Sequence, residues 1–282
     1  MSRLVLLVVL AAAVAALLAG SGASATPPQR IVSLSPTATE TLFAIGAGRQ
    51  VIAVDDQSDY PRRAPRTKLS GFTPNVEAIA GYRPDLVVIG YDPNGLSGTL
   101  RGLGIRVLVQ DAAKTLAQAY AQMTELGAIT GHAAAARALV GRLKNRIGKL
   151  VANSTRRARG LSVYHELEPD LYSATSKTFI GQIYSLFGLE NIADAADTGG
   201  TGYPKLSPEY VVSSNPDIVV LADIRCCGQS ERTVASRPGW RNVAAVRTGT
   251  IVRIDDSIAS RWGPRIVNFV RAVAAALAHL RR

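Results

Sequence analysis

The chain has few of the residues on which several classes of site depend. Its 282 residues include three histidines, two cysteines and two methionines, and aromatic residues make up 6%. Because no two histidines stand at ligand spacing, a zinc or manganese site built on several histidines is not predicted. A phosphate-binding loop, a Gly-x-Ser-x-Gly elbow and a His-Glu-x-x-His motif are also missing, which argues against the corresponding classes of enzyme.

Long apolar runs are missing beyond the N-terminus. There, a positively charged start precedes an apolar run over residues 4–18 and a small-residue segment ending at Ala25. This order is typical of a secretory signal, and the run is shorter than the roughly 20 residues of a membrane-spanning helix. Ser21 stands where a lipoprotein box needs a cysteine. We expect residues 1–25 to be a cleaved signal peptide, with retention as an anchor the alternative, and the protein to be exported.

The charge balance is basic, with 32 Lys and Arg against 21 Asp and Glu. Such a balance suits nucleic acid, an anionic membrane or an acidic ligand. The basic residues are scattered singly, without a basic helix or an aromatic-basic alternation, so nucleic-acid binding is not predicted. The apolar fraction of 47%, without low-complexity runs, is enough for one large or two modest domains.

The two cysteines, Cys226 and Cys227, are adjacent in the sequence. Neither can therefore join distant parts of the chain, and together they supply too few ligands for a metal site. In an oxidising compartment they form a vicinal disulfide or remain free thiols, and both alternatives stay open.

Short β-branched runs alternate with segments of helical period, which is the pattern of an α/β fold with buried parallel strands. Thr37 and Glu40 have the spacing of a capping box that opens the first helix. A helical stretch follows from Lys114 to about Arg156, interrupted near Thr130 and Gly131, and the α/β pattern then restarts. The predicted strands are 30–34, 51–54, 86–89 and 107–109 in the first half, and 161–164, 218–221 and 251–254 in the second.

An internal repeat links the two halves. Residues 75–89 align without a gap on residues 207–221, and in both copies a glutamate stands seven residues before a Pro-Asp pair that introduces a strand. The repeat predicts two similar lobes. The glutamates, Glu77 and Glu209, each lie near a helix N-terminus, where the helix dipole favours their charge. Two equivalent glutamates also suit docking onto a partner that has two basic sockets.

Several segments resemble the helical-backbone ABC substrate-binding proteins, which serve cobalamin, siderophore and haem importers. The resemblance covers essentially the whole mature chain and is closest to the cobalamin-binding branch. Its carriers are residues 30–40 (RIVSLSPTATE), 58–61 (SDYP), 75–88, 207–217 and 260–265 (SRWGPR).

The resemblance implies two Rossmann-like α/β lobes, each a mostly parallel sheet flanked by helices. One long backbone helix within residues 133–156 joins the lobes, and the ligand cleft lies between them. It also implies that Glu77 and Glu209 meet arginines of an ABC permease, which works with an ATPase, and that the protein is a monomer without a cofactor. The expected domains are a signal (1–25), an N-terminal lobe (26–113), a helical spacer (114–158) and a C-terminal lobe (159–282).

A bulky metal chelate needs flat apolar surface and a few hydrogen-bonding groups, and open α/β sheets hold ligands at loops that follow strands. In the cobalamin branch, Tyr60 and Phe72 match aromatic positions of the pocket. The predicted ligand-binding residues are Ser35, Pro36, Tyr60, Phe72, Tyr91, Tyr172, Tyr203, Cys226, Cys227, Arg261 and Trp262.

The predicted function is capture of cobalamin or a related corrinoid outside the cytoplasm, in the periplasm or at the membrane face, and delivery to the permease. A ferric-siderophore or haem receptor is the alternative. Haem iron needs one axial ligand, for which Tyr60, Tyr91 or His165 is suitable. A secreted enzyme is the remaining alternative, with Glu166 and Glu168 or Asp255 and Asp256 as carboxylate pairs.

Overall fold

The β-branched runs of the sequence form short parallel strands, and the segments between them form helices. The structure is a computed structural model, and it describes residues 26–280. The predicted signal peptide, residues 1–25, lies outside the described residues. No helix within the described part is long and apolar enough to cross a membrane.

The first lobe is built on a four-stranded sheet whose central strands are fully buried. Its elements are β1 (Ile31–Leu34), α1 (Pro36–Ala44), β2 (Val51–Val54), α2 (Val76–Gly81), β3 (Leu86–Ile89), α3 (Leu96–Gly102), β4 (Arg106–Val109) and α4 (Leu116–Ile129).

Two helices follow, α5 (Ala133–Ala152) and the short α6 (Thr155–Ala158), before the second lobe begins. The elements of that lobe are β5 (Ser162–Glu166), α7 (Phe179–Phe187), β6 (Glu190–Asn191), α8 (Pro208–Ser214), β7 (Ile218–Leu221), α9 (Glu231–Ala235), α10 (Ala244–Thr248), β8 (Ile251–Arg253), α11 (Asp256–Ala259) and α12 (Ile266–His279).

The two sheets have the same topology. Their strand orders are β2-β1-β3-β4 and β6-β5-β7-β8, and all neighbouring strands are parallel. The predicted strands are confirmed, with bounds that differ by one or two residues. The two-lobed α/β fold is therefore confirmed as well.

Helix α5 connects the lobes. Its 20 residues span about 30 Å at the rise of an α-helix, and it packs against α4 on one side and α12 on the other. A buried stripe that includes Leu139, Leu143 and Ile147 recurs at helical spacing, as the sequence predicts. Gly127 of α4 permits the close approach of α5, since a side chain there would overlap Ala136. The break near Thr130 separates α4 from α5 and is also confirmed.

The start of α1 differs from the prediction. Ser35 is the N-cap, its hydroxyl accepts a hydrogen bond from the Ala38 amide at 3.3 Å, and Pro36 occupies the first turn. Serine at the N-cap and proline just inside the helix are the residues that these positions favour. The capping box of Thr37 and Glu40 is therefore wrong, and the Glu40 side chain is used elsewhere.

The repeated Pro-Asp pairs have the same structural role in both lobes. Asp85 accepts hydrogen bonds from the backbone amides of Gln29, at 2.8 Å, and Arg30, at 3.0 Å, where β1 begins. Asp217 accepts one from the amide of Ser162 at 2.9 Å, where β5 begins. Each aspartate thus accepts hydrogen bonds from backbone amides where β1 or β5 begins. Buried backbone amides need such an acceptor.

Candidate ligand-binding cleft

Two cavities that share Gln57, Ser260 and Arg261 lie between the lobes, on the side where the carboxyl ends of the strands open. The first, about 340 Å³, has a mainly apolar wall and is called the apolar cavity below. The second, about 1170 Å³, is lined by charged side chains and is called the polar cavity. Ligands of open α/β sheets bind at this edge. Together the two cavities form the candidate cleft.

Aromatic side chains form much of the wall of the apolar cavity. Phe72 is 69% exposed and Tyr91 is 40% exposed, with their ring centroids 6.3 Å apart. The Tyr91 hydroxyl donates a hydrogen bond to the Phe72 carbonyl at 2.8 Å, which ties together the loops that carry the two rings. Trp262 reaches the cavity from the second lobe, and its indole N–H donates to Gln122 at 2.7 Å. The rings offer flat apolar surface to a ligand.

Three of the five arginines that line the polar cavity are paired with carboxylates, whereas Arg66 donates to the Asp56 carbonyl at 2.7 Å and Arg62 has no carboxylate partner among the described residues. Arg261 contacts Asp59 at 2.8 Å, and Arg225 contacts Asp255 at 3.1 Å. Burial raises the pKa of Asp59, but the hydrogen bond and charge of Arg261, with the charge of Arg225, outweigh it and lower the pKa overall. The guanidinium groups of Arg261 and Arg225 are therefore engaged by carboxylates of the protein itself.

Glu40 is the charged residue that joins the lobes at the cleft. Its carboxylate is 2% exposed and accepts hydrogen bonds from Arg265, at 2.5 and 2.9 Å, and from Arg261, at 3.1 Å. The Arg265 guanidinium also lies 4.4 Å from the ring centroid of Tyr60. An acid on α1 is thus bound to two bases just before α12. The sequence analysis does not predict this link. The signal in the sequence is the pair of arginines within residues 261–265.

A buried ion pair fills the same edge of the second lobe. Glu166, the last residue of β5, is fully buried and accepts two hydrogen bonds from Arg237, at 2.5 and 2.6 Å. Tyr164 donates a third at 3.1 Å. Asp223, just after β7, is also fully buried, and neither of its carboxylate oxygens has a partner among the described residues. Burial, followed by the charge of Glu166, raises the Asp223 pKa to about 7.

The loop that follows Asp223 contains the adjacent cysteines. Cys226 and Cys227 form a disulfide in the structure, so the alternative of free thiols is not observed. The backbone amides of Arg225 and Cys226 donate to the Asp256 carboxylate at 3.1 and 2.7 Å, which fixes the loop against α11. Cys226 lines the polar cavity.

Most of the predicted ligand-binding residues come together at the cleft, and three do not line it. Tyr172, Tyr203 and Cys227 belong to neither cavity, and Tyr172 packs instead against Lys205, whose ammonium lies 5.5 Å from its ring centroid. Those in the apolar cavity are Ser35, Pro36, Phe72, Tyr91, Arg261 and Trp262, and those in the polar cavity are Tyr60, Cys226 and Arg261.

His165 is not a cleft residue, and its prediction as an axial iron ligand is wrong. Its side chain is completely buried, and Nδ1 lies 2.5 Å from the Tyr184 hydroxyl. Burial lowers the His165 pKa to about 3, so the ring is neutral. The histidine faces the core because alternate residues of a strand point to opposite faces of the sheet. Within residues 26–280, no cluster of three or more His, Cys, Asp or Glu side chains is arranged to hold a metal ion.

The repeated glutamates lie in matching places. Glu77 is in the first turn of α2, after the N-cap Asn75, and Glu209 is in the first turn of α8, after the N-cap Ser207. Both are exposed. Neither lines the two cavities, so the glutamates and the cleft are separate features of the surface.

Two parallel-sheet lobes on one connecting helix, with a cleft between them, define the class of two-lobed binding proteins. Residues 31–258 match the model of the family described as periplasmic binding protein. The chain belongs to this family.

Individual relatives agree with this assignment. The cobalamin-binding protein of Halobacterium salinarum is 33% identical over 261 residues, which cover 88% of this chain and 69% of the relative. Among solved structures, the vitamin B12 binding protein BtuF of Vibrio cholerae superposes with a TM-score of 0.72 at 24% identity, over 89% of this chain and 97% of that one. The haem-binding protein RhuT of Roseiflexus sp. RS-1 gives 0.75 at 22%, over 88% and 97%.

Proposed function

We propose that this protein is the extracytoplasmic substrate-binding component of an ABC importer and that it captures cobalamin or a related corrinoid. The observation that carries the proposal is the cleft itself, in which exposed aromatic rings lie beside arginines already paired with carboxylates. The cobalamin-binding relative, with 33% identity, supports the same ligand.

The ion pairs of Arg261 and Arg225 favour a corrinoid over haem. The side groups of a corrin ring are mainly neutral amides, whereas haem has two carboxylates that need cationic or hydrogen-bonding partners. Arg261 and Arg225 already contact Asp59 and Asp255, so binding a haem carboxylate there requires breaking an ion pair. Separating Arg261 from Asp59 leaves a mostly buried guanidinium without that partner, whereas the Arg225–Asp255 pair is partly exposed and costs less to break. A neutral amide can bind beside these pairs without breaking either of them.

Capture involves no chemistry in this proposal. The relatives are binding proteins rather than enzymes. Helix α5 packs against both lobes, and the link from Glu40 to Arg261 and Arg265 restrains them at the cleft, so we expect only modest closure around the ligand. A ligand recovered unchanged after long incubation, analysed by mass spectrometry, is the expected result; a converted product contradicts it.

Tryptophan fluorescence provides a direct test of the ligand. Trp262 lines the apolar cavity, whereas Trp240 is completely buried in the second lobe. Titration with cobalamin, cobinamide, a ferric siderophore and haem should quench fluorescence at the lowest concentration with a corrinoid. The Trp262→Phe variant should lose most of the saturable signal, and calorimetry then measures how far the loss of this ring lowers the affinity. If none of the four compounds binds, the proposal is wrong.

We also propose that Glu77 and Glu209 dock the loaded protein onto the permease. Support comes from their equivalent positions in the first turns of α2 and α8, their exposure, and their separation from the cleft. A pair of carboxylates in matching lobes suits a permease with two basic sockets, and such contacts steer association.

The docking proposal predicts separate effects on transport and on ligand binding. Replacing both glutamates with alanine should reduce uptake by reconstituted transporter about tenfold or more, while ligand affinity stays within about twofold. The control replaces Glu190 and Glu231, two exposed glutamates away from α2 and α8; Glu231 also lies in a first helical turn. Equal loss of uptake in the control, or lost ligand affinity in the test variant, would contradict docking.

A further inference from the structure

A carboxyl group with one unpaired oxygen is part of the wall of the apolar cavity. Asp55 directly follows β2 and is 1% exposed as a residue, yet it belongs to the cavity lining. Its backbone amide donates to the Ser33 carbonyl at 3.1 Å, so the main chain is fixed. The side-chain atom Oδ1 is buried and has no hydrogen-bond partner among the described residues. Such a group costs about 1–3 kcal/mol when left unsatisfied.

The residue that packs against this carboxyl group is a glycine, Gly71. A Cβ atom added to Gly71 would lie 2.8 Å from Asp55 Oδ2 and 2.9 Å from the Leu34 carbonyl oxygen. Any larger residue at this position therefore collides with the carboxyl group or with β1. Gly71, which also lines the apolar cavity, thus packs closely on the Oδ2 side of the carboxyl group, and Oδ1 is the oxygen left without a partner among the described residues.

No free cation neutralises Asp55 from the cavity. Of the described residues that line the apolar cavity, Arg261 alone carries a positive charge. Its guanidinium already contacts Glu40 at 3.1 Å and Asp59 at 2.8 Å. Burial raises the pKa of Asp55 above its ordinary value despite hydrogen-bonding groups of Ser58 and the charge of Arg261, which lower it. A ligand group that reaches this wall therefore meets a carboxyl group without a counter-ion.

We propose that Asp55 is a specificity-determining residue, which accepts a hydrogen bond from an amide N–H of the ligand and disfavours ligands with a carboxylate in its place. The inference rests on the proposed corrinoid-binding function and specifies which side group, amide or carboxylate, the protein selects among corrinoids. An amide N–H supplies the missing partner of Oδ1, whereas a ligand carboxylate adds a second negative charge in a poorly solvated wall. An amide is also compatible with a protonated Asp55, because its carbonyl accepts a hydrogen bond.

The test compares two corrinoids that differ in this respect. Cobinamide has amide side groups, and cobyrinic acid has carboxylates at the same positions. Wild-type protein should bind cobinamide more tightly by calorimetry at pH 7. In the isosteric Asp55→Asn variant, the preference should shrink about tenfold or more, because the repelling charge is gone while an acceptor remains. Asp55→Leu, which has no acceptor, should lose about tenfold in cobinamide affinity.

The control is Asp111→Asn, since Asp111 is an exposed carboxylate that lines neither cavity. This variant should leave the preference within about threefold of wild type. A wild-type preference for cobinamide that survives unchanged in Asp55→Asn would overturn the role of Asp55 and leave the proposed function intact. Failure of the wild-type protein to bind either corrinoid would overturn the proposed function and this inference with it.

Discussion

The two lobes share a framework but differ at the edge that faces the cleft. In both, the strand order is the same, an aspartate pairs with the start of the inner strand, and a glutamate lies in the first turn of an exposed helix. At the carboxyl ends of the strands, the first lobe has an open cavity beside Asp55 and Gly71. The second lobe has the buried pair of Glu166 and Arg237.

The two lobes therefore use the carboxyl ends of their strands differently. In the first lobe, the unpaired Oδ1 atom of Asp55 leaves hydrogen-bonding capacity at the wall of the apolar cavity. In the second, Glu166 is bound by Arg237, and the unpaired carboxyl group of Asp223 lines neither cavity. Repetition therefore predicts the framework of each lobe, whereas the side chains at the strand ends decide what each lobe does.

The largest expected effect comes from breaking the ion pair of the second lobe. Glu166→Ala leaves Arg237 without its partner, and we expect a loss of about 3–5 kcal/mol in the free energy of unfolding. The change compared with it in the first lobe is Asp55→Ala, which removes a carboxyl group whose Oδ1 has no partner and should cost less than about 1 kcal/mol. Urea unfolding at pH 7 measures both. Equal destabilisation by the two changes would contradict the contrast between the lobes.

The second prediction concerns the pH dependence of stability. The Asp223 pKa in the folded protein is about 7, above its ordinary value of 3.8. Asp223 therefore stabilises the fold at low pH, and this contribution is lost as pH rises through about 7. Asp223→Asn should be more stable than wild type at pH 8 by about 1–3 kcal/mol, with a difference that shrinks toward pH 4.

Thermal unfolding over this pH range tests the role of Asp223. The control is Asp111→Asn, because Asp111 is exposed and lies outside the second lobe. That variant should follow the wild-type profile. If Asp223→Asn also follows the wild-type profile, the Asp223 carboxyl group does not control this part of the pH dependence.

The smallest effect is expected from the vicinal disulfide. Cys226 and Cys227 are adjacent, and the stabilisation from a disulfide grows with the length of the loop that it closes. Reduction with a dithiol should therefore change the free energy of unfolding by less than about 1 kcal/mol. The variant with both cysteines replaced by serine is the control and should not respond to the reductant. A larger loss in the wild type would mean that the disulfide supports the second lobe.

Local patterns predict much of this fold. Strand positions, the break before α5 and the buried stripe of that helix follow from hydrophobic periodicity and turn residues, which act over a few positions. The repeat also identifies Glu77 and Glu209 as equivalent. The capping box at Glu40 was wrong because the local spacing says nothing of Arg265, which lies 225 positions away and binds the carboxylate.

The site was predicted less completely than the fold for the same reason. Aromatic residues on loops after strands identified Phe72 and Tyr91, since their position relative to the strand ends is local information. Local patterns do not identify Asp55, because its importance depends on the close approach of Gly71 and on the ion pairs that join Arg261 to Glu40 and Asp59. The pairing of Glu166 with Arg237, across 71 positions, is likewise visible only in three dimensions.

The central claim is that the cleft receives a neutral, amide-bearing chelate. Competition at equilibrium tests it most directly, with the mature protein saturated with radiolabelled cobalamin and challenged with haem at pH 7. We predict that about a tenfold molar excess of haem leaves most of the cobalamin bound, which requires an affinity advantage above about 1.4 kcal/mol, since that value only balances the excess. Displacement of cobalamin by an equal concentration of haem would contradict it.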